Sequence, residues 1–221
     1  GGGEALAPAL QASLPWLGID DEMLRQVSRG HAGVVATLRL GFRCNQDCSF
    51  CWQDRDWPEP PAEHYYRWID EMAALGVTSL SISGGEPTIH KELAGVIAHA
   101  RAKRMSVSIQ TNCIRLRKKD YLAKLVEAGL SGVFVSLHAT DAATSDAMTR
   151  APGTYKPTIE GIEACLEAGV QVRLNCVVEQ QNFRLVPDHA RTIADRFIRA
   201  FPNNPVKEVT YTFPSAYWSP E

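Results

Sequence analysis

Residues 79–111 read SLSISGGEPTIHKELAGVIAHARAKRMSVSIQT. A strand-like run, Ser79 to Ser83, meets a glycine-bearing turn. A helical pattern follows over Lys91–Lys103, and a second run, Ser106 to Thr111, closes the unit. Outward from this unit the theme repeats. Further strand patterns lie at Val35 to Phe42, Gly132 to His138, Val170 to Val178 and Glu208 to Phe213. Helical patterns separate them at Ala62–Leu75, Lys118–Ala128, Lys156–Ala168 and Phe183–Phe201. The last places Leu185, His189, Ile193, Phe197 and Phe201 at steps of four, a buried stripe in prospect. Gly76, Gly129 and Gly169 each follow a helix where a left-handed cap is wanted.

Strand–helix alternation at this spacing predicts parallel strands joined by right-handed crossovers. Six units fall short of a closed eight-stranded barrel, which takes about 250 residues. The expected fold class is therefore α/β: a partial, open (β/α)6 TIM-like barrel with a parallel sheet. Val34 to Phe213 form its core, with residues 1–33 as an N-terminal extension and 214–221 as a C-terminal tail. Chemistry in such folds gathers at the carboxyl ends of the strands.

Composition narrows the class of partner. Hydrophobic residues make up 45% and charged residues 22% of the 221, and the formal net charge is -2. That balance favours neither nucleic acid nor an anionic membrane. No apolar run reaches the roughly 18 residues needed to span a bilayer. The opening Gly1-Gly2-Gly3-Glu4-Ala5-Leu6 lacks the basic segment and apolar core of a secretory signal, so a cytoplasmic setting is expected. Six cysteines, at 44, 48, 51, 113, 165 and 176, invite a disulfide framework. Such frameworks belong to short secreted domains with poor cores, and three of these six crowd into eight residues.

Those three end the first strand pattern, in Cys44-Asn-Gln-Asp-Cys48-Ser-Phe50-Cys51. Thiolates this close can wrap one metal centre, and their softness favours an iron–sulfur cluster or zinc. A structural zinc site wants a fourth ligand, usually in a second paired motif, and His64, the nearest histidine, has no partner. Three ligands on a four-iron cluster leave one iron open to a small molecule. A zinc knuckle and buried free thiols are the alternatives.

With Phe50 before its third cysteine, this loop resembles the signature of the radical S-adenosylmethionine (SAM) superfamily. The resemblance implies a [4Fe–4S] cluster on Cys44, Cys48 and Cys51, with SAM on the open iron and Phe50 beside its adenine. It further implies reductive cleavage of SAM to a 5′-deoxyadenosyl radical that takes hydrogen from a substrate. Reduced flavodoxin or ferredoxin would donate the electron. Ser83-Gly84-Gly85-Glu86-Pro87 resembles the family's G-G-E-P motif, which holds the methionine amino group. Two glycines allow close backbone approach, and Glu86 offers a charge opposite to an ammonium. A tight turn stiffened by Pro87 is the plainer reading.

Three further strand ends extend the likeness. Gln110-Thr111-Asn112-Cys113 stands where T-N-G is usual, and cysteine suits a left-handed turn poorly, so a different turn is expected there. Cys113 then either faces the cavity or packs as a small residue. Ser136 and Arg150 match the family's serine and arginine that assist the cofactor, with Lys156 and Arg173 as competing cations. Asn175 and the backbone of Val177 and Val178 match the segment that contacts adenine and ribose. His138 faces substrate or is structural; Trp52 and Trp57 shield the cluster, contact substrate or pin their own loop. Cys165 reads as packing, and Cys176 as strand core or cavity wall. The expected substrate is a peptide or natural-product precursor. Cofactor or modified-nucleoside biosynthesis is the second enzymatic reading, and a non-enzymatic iron–sulfur or zinc module the third.

Overall fold

The computed structural model describes residues 34–213; the expected N-terminal extension and C-terminal tail lie outside them. Six strands pair in chain order, all parallel, and the sheet is open between its first and last members. They are β1 (Val34–Arg39), β2 (Val77–Ser83), β3 (Ser106–Thr111), β4 (Leu130–Ser136), β5 (Gln171–Val177) and β6 (Glu208–Thr212). The result is the expected open half-barrel. Helices α1 (Ala62–Ala74), α2 (Leu93–Ala102), α3 (Lys119–Glu127), α4 (Ala142–Thr149), α5 (Tyr155–Glu167) and α6 (Val186–Ile193) connect them.

The core lies between the sheet and these helices. Alternate strand residues, among them Leu38, Leu80, Ile82, Ile109, Val133 and Leu174, are buried against Tyr65, Ile69, Ile97, Leu125 and Ile162. Burial of this apolar surface is the main stabilising term, at about 25 cal/mol per Å². Gly76, Gly129 and Gly169 each end a helix at positive φ.

Two connections differ from expectation. Between β4 and β5 the chain inserts α4, which sequence periodicity did not announce. Its contrast is low, as Ala142-Ala-Thr-Ser-Asp-Ala-Met-Thr149 alternates small and polar residues. The start signal is Asp141, whose carboxylate accepts from Thr144 N at 2.8 Å. The long pattern at 183–201 is broken into a short 3₁₀ turn, α6 and a π-helical stretch over Ala194–Arg199. His189, Ile193 and Phe197 still share a buried face, while Leu185 and Phe201 are half-buried.

Candidate functional site: the carboxyl ends of the strands

The cysteine loop leaves β1 while its backbone is still paired, Leu40 N donating to Ser83 O at 2.7 Å. Beyond Gly41 it is tied down from several sides. Asp47 N and Ser49 N donate to Thr149 O and Met148 O at 2.9 and 2.8 Å, so the unannounced α4 ends as a support for the loop. Gln46 Nε2 donates to Thr154 Oγ1 at 3.2 Å, and Ser49 Oγ to Glu179 Oε2 at 3.0 Å. All three thiols are free; Cys44 and Cys48 are half-buried and Cys51 is exposed. Burial raises the Cys44 pKa and pushes that of Cys48 up to about 12, with Cys44 and Cys51 adding repulsion in the second case. A bound cation inverts that preference and holds the thiolates. Among the described residues no three of these side-chain types are grouped as the ligands of a single metal ion. The soft donor set and the absence of disulfide partners suit an iron–sulfur cluster, whose thiolates attach to different irons.

The second strand end is stitched to the first. Gly85 N donates to Gly41 O at 3.2 Å and Glu86 N to Arg43 O at 2.9 Å. This contact is why the glycines are needed. A Cβ at Gly85 would sit 2.2 Å from Arg43 O and 2.3 Å from Phe42 O; one at Gly84, where φ is +154°, would sit 2.7 Å from Gly41 O. Backbone carbonyls cannot swing away as a side-chain tip can. Gly85→Ala is therefore expected to destabilise the chain by roughly 3 kcal/mol or more, read from a denaturant midpoint. A variant as stable as the parent would show that the two loops are not locked together.

The Glu86 carboxylate is buried and turned into the protein. Oε1 accepts from Thr88 N at 2.9 Å, Thr88 Oγ1 at 2.6 Å and Thr111 Oγ1 at 2.7 Å, and Oε2 accepts from Asn112 N at 2.7 Å. Burial raises its pKa, and these four donors pull against that rise. Glu86 thus clamps β2 to β3 rather than offering a free charge. Asn112 extends the clamp, donating through Nδ2 to Asn45 Oδ1 in the cysteine loop at 2.7 Å. Thr88, Asn45 and Asn112 are contributors to which motif reading gave no role; Asn45 and Asn112 lie inside the quoted motifs and Thr88 directly after one.

Cys113 also departs from expectation. It takes the left-handed conformation that glycine usually takes, at φ +67°. It is fully buried, with the backbone of Gly161 against it: a Cβ there would lie 2.1 Å from Cys113 O. Cys113 is a packing residue, not a cavity group.

On the far strands Ser136, Asn175 and Thr210 share one register row. The Ser136 hydroxyl makes no hydrogen bond among the described residues, while Asn175 Oδ1 accepts from Thr212 Oγ1 at 3.3 Å. Three backbone groups of Val177 and Val178, the expected adenine contacts, already have partners within the chain. Val177 N donates to His138 Nδ1 at 3.1 Å, its carbonyl accepts from Asn182 Nδ2 at 2.8 Å, and Val178 N donates to Thr212 O at 2.7 Å. Arg150 is a rim residue: exposed, at φ +49°, with Nη1 3.9 Å from Asp47 Oδ2. Trp52 and Trp57 are exposed; Trp57 meets Phe42 edge-on at 5.2 Å, and the guanidinium of Arg39 lies over Trp52 at 5.6 Å.

His138 is structural and touches the site. Its ring meets Phe50 edge-on at 4.8 Å. The bond from Val177 N fixes Nδ1 as the acceptor, so the neutral ring carries its proton on Nε2. Burial, helped by the neighbouring His189, lowers its pKa from 6.5 to about 4. The unfolded chain then binds more protons between those values. This contribution is complete above pH 6.5 and is lost as pH falls toward 4, an effect of about 3 kcal/mol. His138→Gln should flatten this slope in pH-dependent unfolding; an unchanged slope would assign it elsewhere.

A parallel half-barrel whose first strand ends in three free thiols, locked to a glycine-rich turn on the second, defines an α/β enzyme class built around a thiolate-held cofactor. The family model for the Radical SAM superfamily matches residues 38–193, and the chain belongs to that superfamily. The family uses a [4Fe–4S] cluster and SAM. Among curated proteins, the Fe-coproporphyrin III synthase of Methanosarcina barkeri is 36% identical over 157 residues, 69% of this chain and 39% of the relative. The PqqA peptide cyclase of Rhodopseudomonas palustris is 28% identical over 159 residues, 70% of this chain and 42% of the relative. The chain thus spans about two fifths of these relatives' length. Streptococcus suis SuiB bound to its precursor peptide SuiA shares the fold at a TM-score of 0.66 and 20% identity, over 93% of this chain and 44% of that one.

Proposed function

We propose that this chain is the catalytic half-barrel of a radical SAM enzyme acting on a peptide or natural-product precursor. Cys44, Cys48 and Cys51 would hold the [4Fe–4S] cluster, which when bound with SAM would supply the radical chemistry for hydrogen abstraction from substrate. The observation that carries the reading is the backbone lock between the cysteine loop and the Gly84-Gly85-Glu86 turn. It sets a thiol cluster beside a glycine-rich backbone cradle on neighbouring strands, which a zinc knuckle or a free-thiol loop does not require.

The chain's own residues bind and orient. Gly84 and Gly85 present backbone to the cofactor's methionine end, and Glu86 fixes their position from behind. Ser136 offers an uncommitted hydroxyl, Asn175 shares its row, and Phe50, braced by His138, forms an apolar wall. Reduced flavodoxin or ferredoxin delivers the electron. The peptide reading draws on the names of the PqqA cyclase and SuiB–SuiA matches; the Fe-coproporphyrin III synthase match favours cofactor biosynthesis as the second reading. Among the described residues no helix is long and apolar enough to cross a membrane.

The test is anaerobic reconstitution with iron and sulfide, addition of dithionite and SAM, and quantification of 5′-deoxyadenosine by mass spectrometry. The expected result is 5′-deoxyadenosine above the level of a cluster-free control. A fully loaded protein that forms none contradicts the reading.

A further inference from the structure

One side chain inside the cysteine loop is placed between two of its thiols. Gln46 stands midway between Cys44 and Cys48 and is only 8% exposed, unusual for a residue type that is mostly solvated. Its backbone N–H donates to Cys44 Sγ at 3.4 Å. Its side-chain Oε1 accepts from the Cys48 thiol at 3.9 Å, within the longer reach of sulfur. One residue thus meets two of the three thiols, once through backbone and once through its amide.

What holds the amide there comes from outside the loop. Gln46 Nε2 donates to Thr154 Oγ1 at 3.2 Å, across 108 residues of chain. That hydroxyl donates in turn to Ala151 O at 2.8 Å. The bond to Cys48 exists only while that sulfur carries a proton. A thiolate, the form that ligates iron, has none to give and would face the lone pairs of Oε1. A half-turn of the amide would remove this repulsion. Nε2 would then donate to the sulfur, and Oε1 would accept from the Thr154 hydroxyl, which can serve as donor or acceptor. Ala151 O, released by that hydroxyl, keeps Thr154 N as a donor at 3.3 Å. The amide and its anchor therefore stay paired in both arrangements, as buried polar groups require.

We propose that Gln46 is a positioning residue that raises the reduction potential of the cluster. Its backbone N–H and its amide, anchored by Thr154, donate to the sulfurs of Cys44 and Cys48. Hydrogen bonds to ligand sulfurs stabilise the more negative, reduced state and so ease reduction. The inference rests on the radical SAM reading, which assigns these thiolates to a [4Fe–4S] cluster.

The test is an anaerobic redox titration of the reconstituted 221-residue chain, without SAM, followed through the electron paramagnetic resonance of the reduced cluster. A midpoint potential belongs to each loaded cluster, so a variant that takes up less iron is still read. Gln46→Met keeps the length and removes the side-chain donor. It should make reduction about tenfold less favourable, a fall of about 59 mV for one electron. Thr154→Val leaves Gln46 in place without its anchor, and a smaller fall is expected. Asp141→Ala removes the cap of α4, whose last carbonyls support the loop, and leaves the donors untouched; it should keep the parent potential. A parent value in Gln46→Met overturns the proposal. An equal fall in Asp141→Ala also overturns it, because a loosened loop would then account for the shift. If Gln46→Met takes up no cluster, Thr154→Val decides, and a parent potential there overturns the proposal. A parent chain without a [4Fe–4S] signal defeats the cluster reading itself. A loaded parent whose potential ignores Gln46 defeats this inference alone.

Discussion

Alanine at any one of Cys44, Cys48 or Cys51 is expected to remove most of the bound iron and to lower 5′-deoxyadenosine formation by more than about 100-fold. Loss of groups that merely support a metal ligand costs about 10–100-fold, so loss of a ligand itself should cost more. Stability should change little, because Cys51 is exposed and the other two thiols are half-buried. The contrast is Cys165→Ala. That residue is fully buried in the core, so its loss costs stability through a small cavity while iron content stays at the parent level. Iron content and 5′-deoxyadenosine are measured side by side after anaerobic reconstitution. Parent-level iron in the Cys44 variant, or iron loss in the Cys165 variant, would move the cluster away from the loop.

Glu86→Ala is the second large effect, and its expected signature is on the fold. Removal of the carboxylate leaves Thr88 N and Asn112 N buried without acceptors and frees the hydroxyls of Thr88 and Thr111. Unpairing a buried, multiply bonded charge site costs on the order of 3–5 kcal/mol. Glu86→Gln keeps the shape but sets its amide NH2 against the Asn112 N–H, donor against donor, so it should fall between parent and alanine variant. Denaturant unfolding of the three proteins reads the series. A loss below about 1 kcal/mol in Glu86→Ala, accompanied by lost SAM binding, would return the carboxylate to the ligand.

The ladder of parallel strands was legible because each strand pattern is a short run bounded by a turn or a glycine-capped helix. That local logic also located the cysteine loop and the glycine turn. The partners of Glu86 were not legible. Thr88 lies two residues away, but Thr111 and Asn112 are 25 and 26 residues distant and meet it only when β2 and β3 pair. The same holds for Val177, whose N–H finds His138 across 39 residues. Cys113 misled in another way: cysteine at a glycine position suggested a different turn, yet Gly161 on α5 leaves room for its backbone to keep the left-handed form. Helix α4 escaped because helix capping by Asp141 and docking of the cysteine loop, rather than amphipathic contrast, define it.

Three thiolates holding a four-iron cluster would leave one coordination position open to SAM. Electron paramagnetic resonance of the anaerobically reconstituted, dithionite-reduced protein, recorded with and without SAM, tests it most directly. The expected result is the signal of a reduced [4Fe–4S] cluster whose g values change when SAM is added, as they would if the cofactor occupied the open iron. A cluster signal that SAM leaves unaltered, or a protein that takes up zinc and no iron, would contradict it.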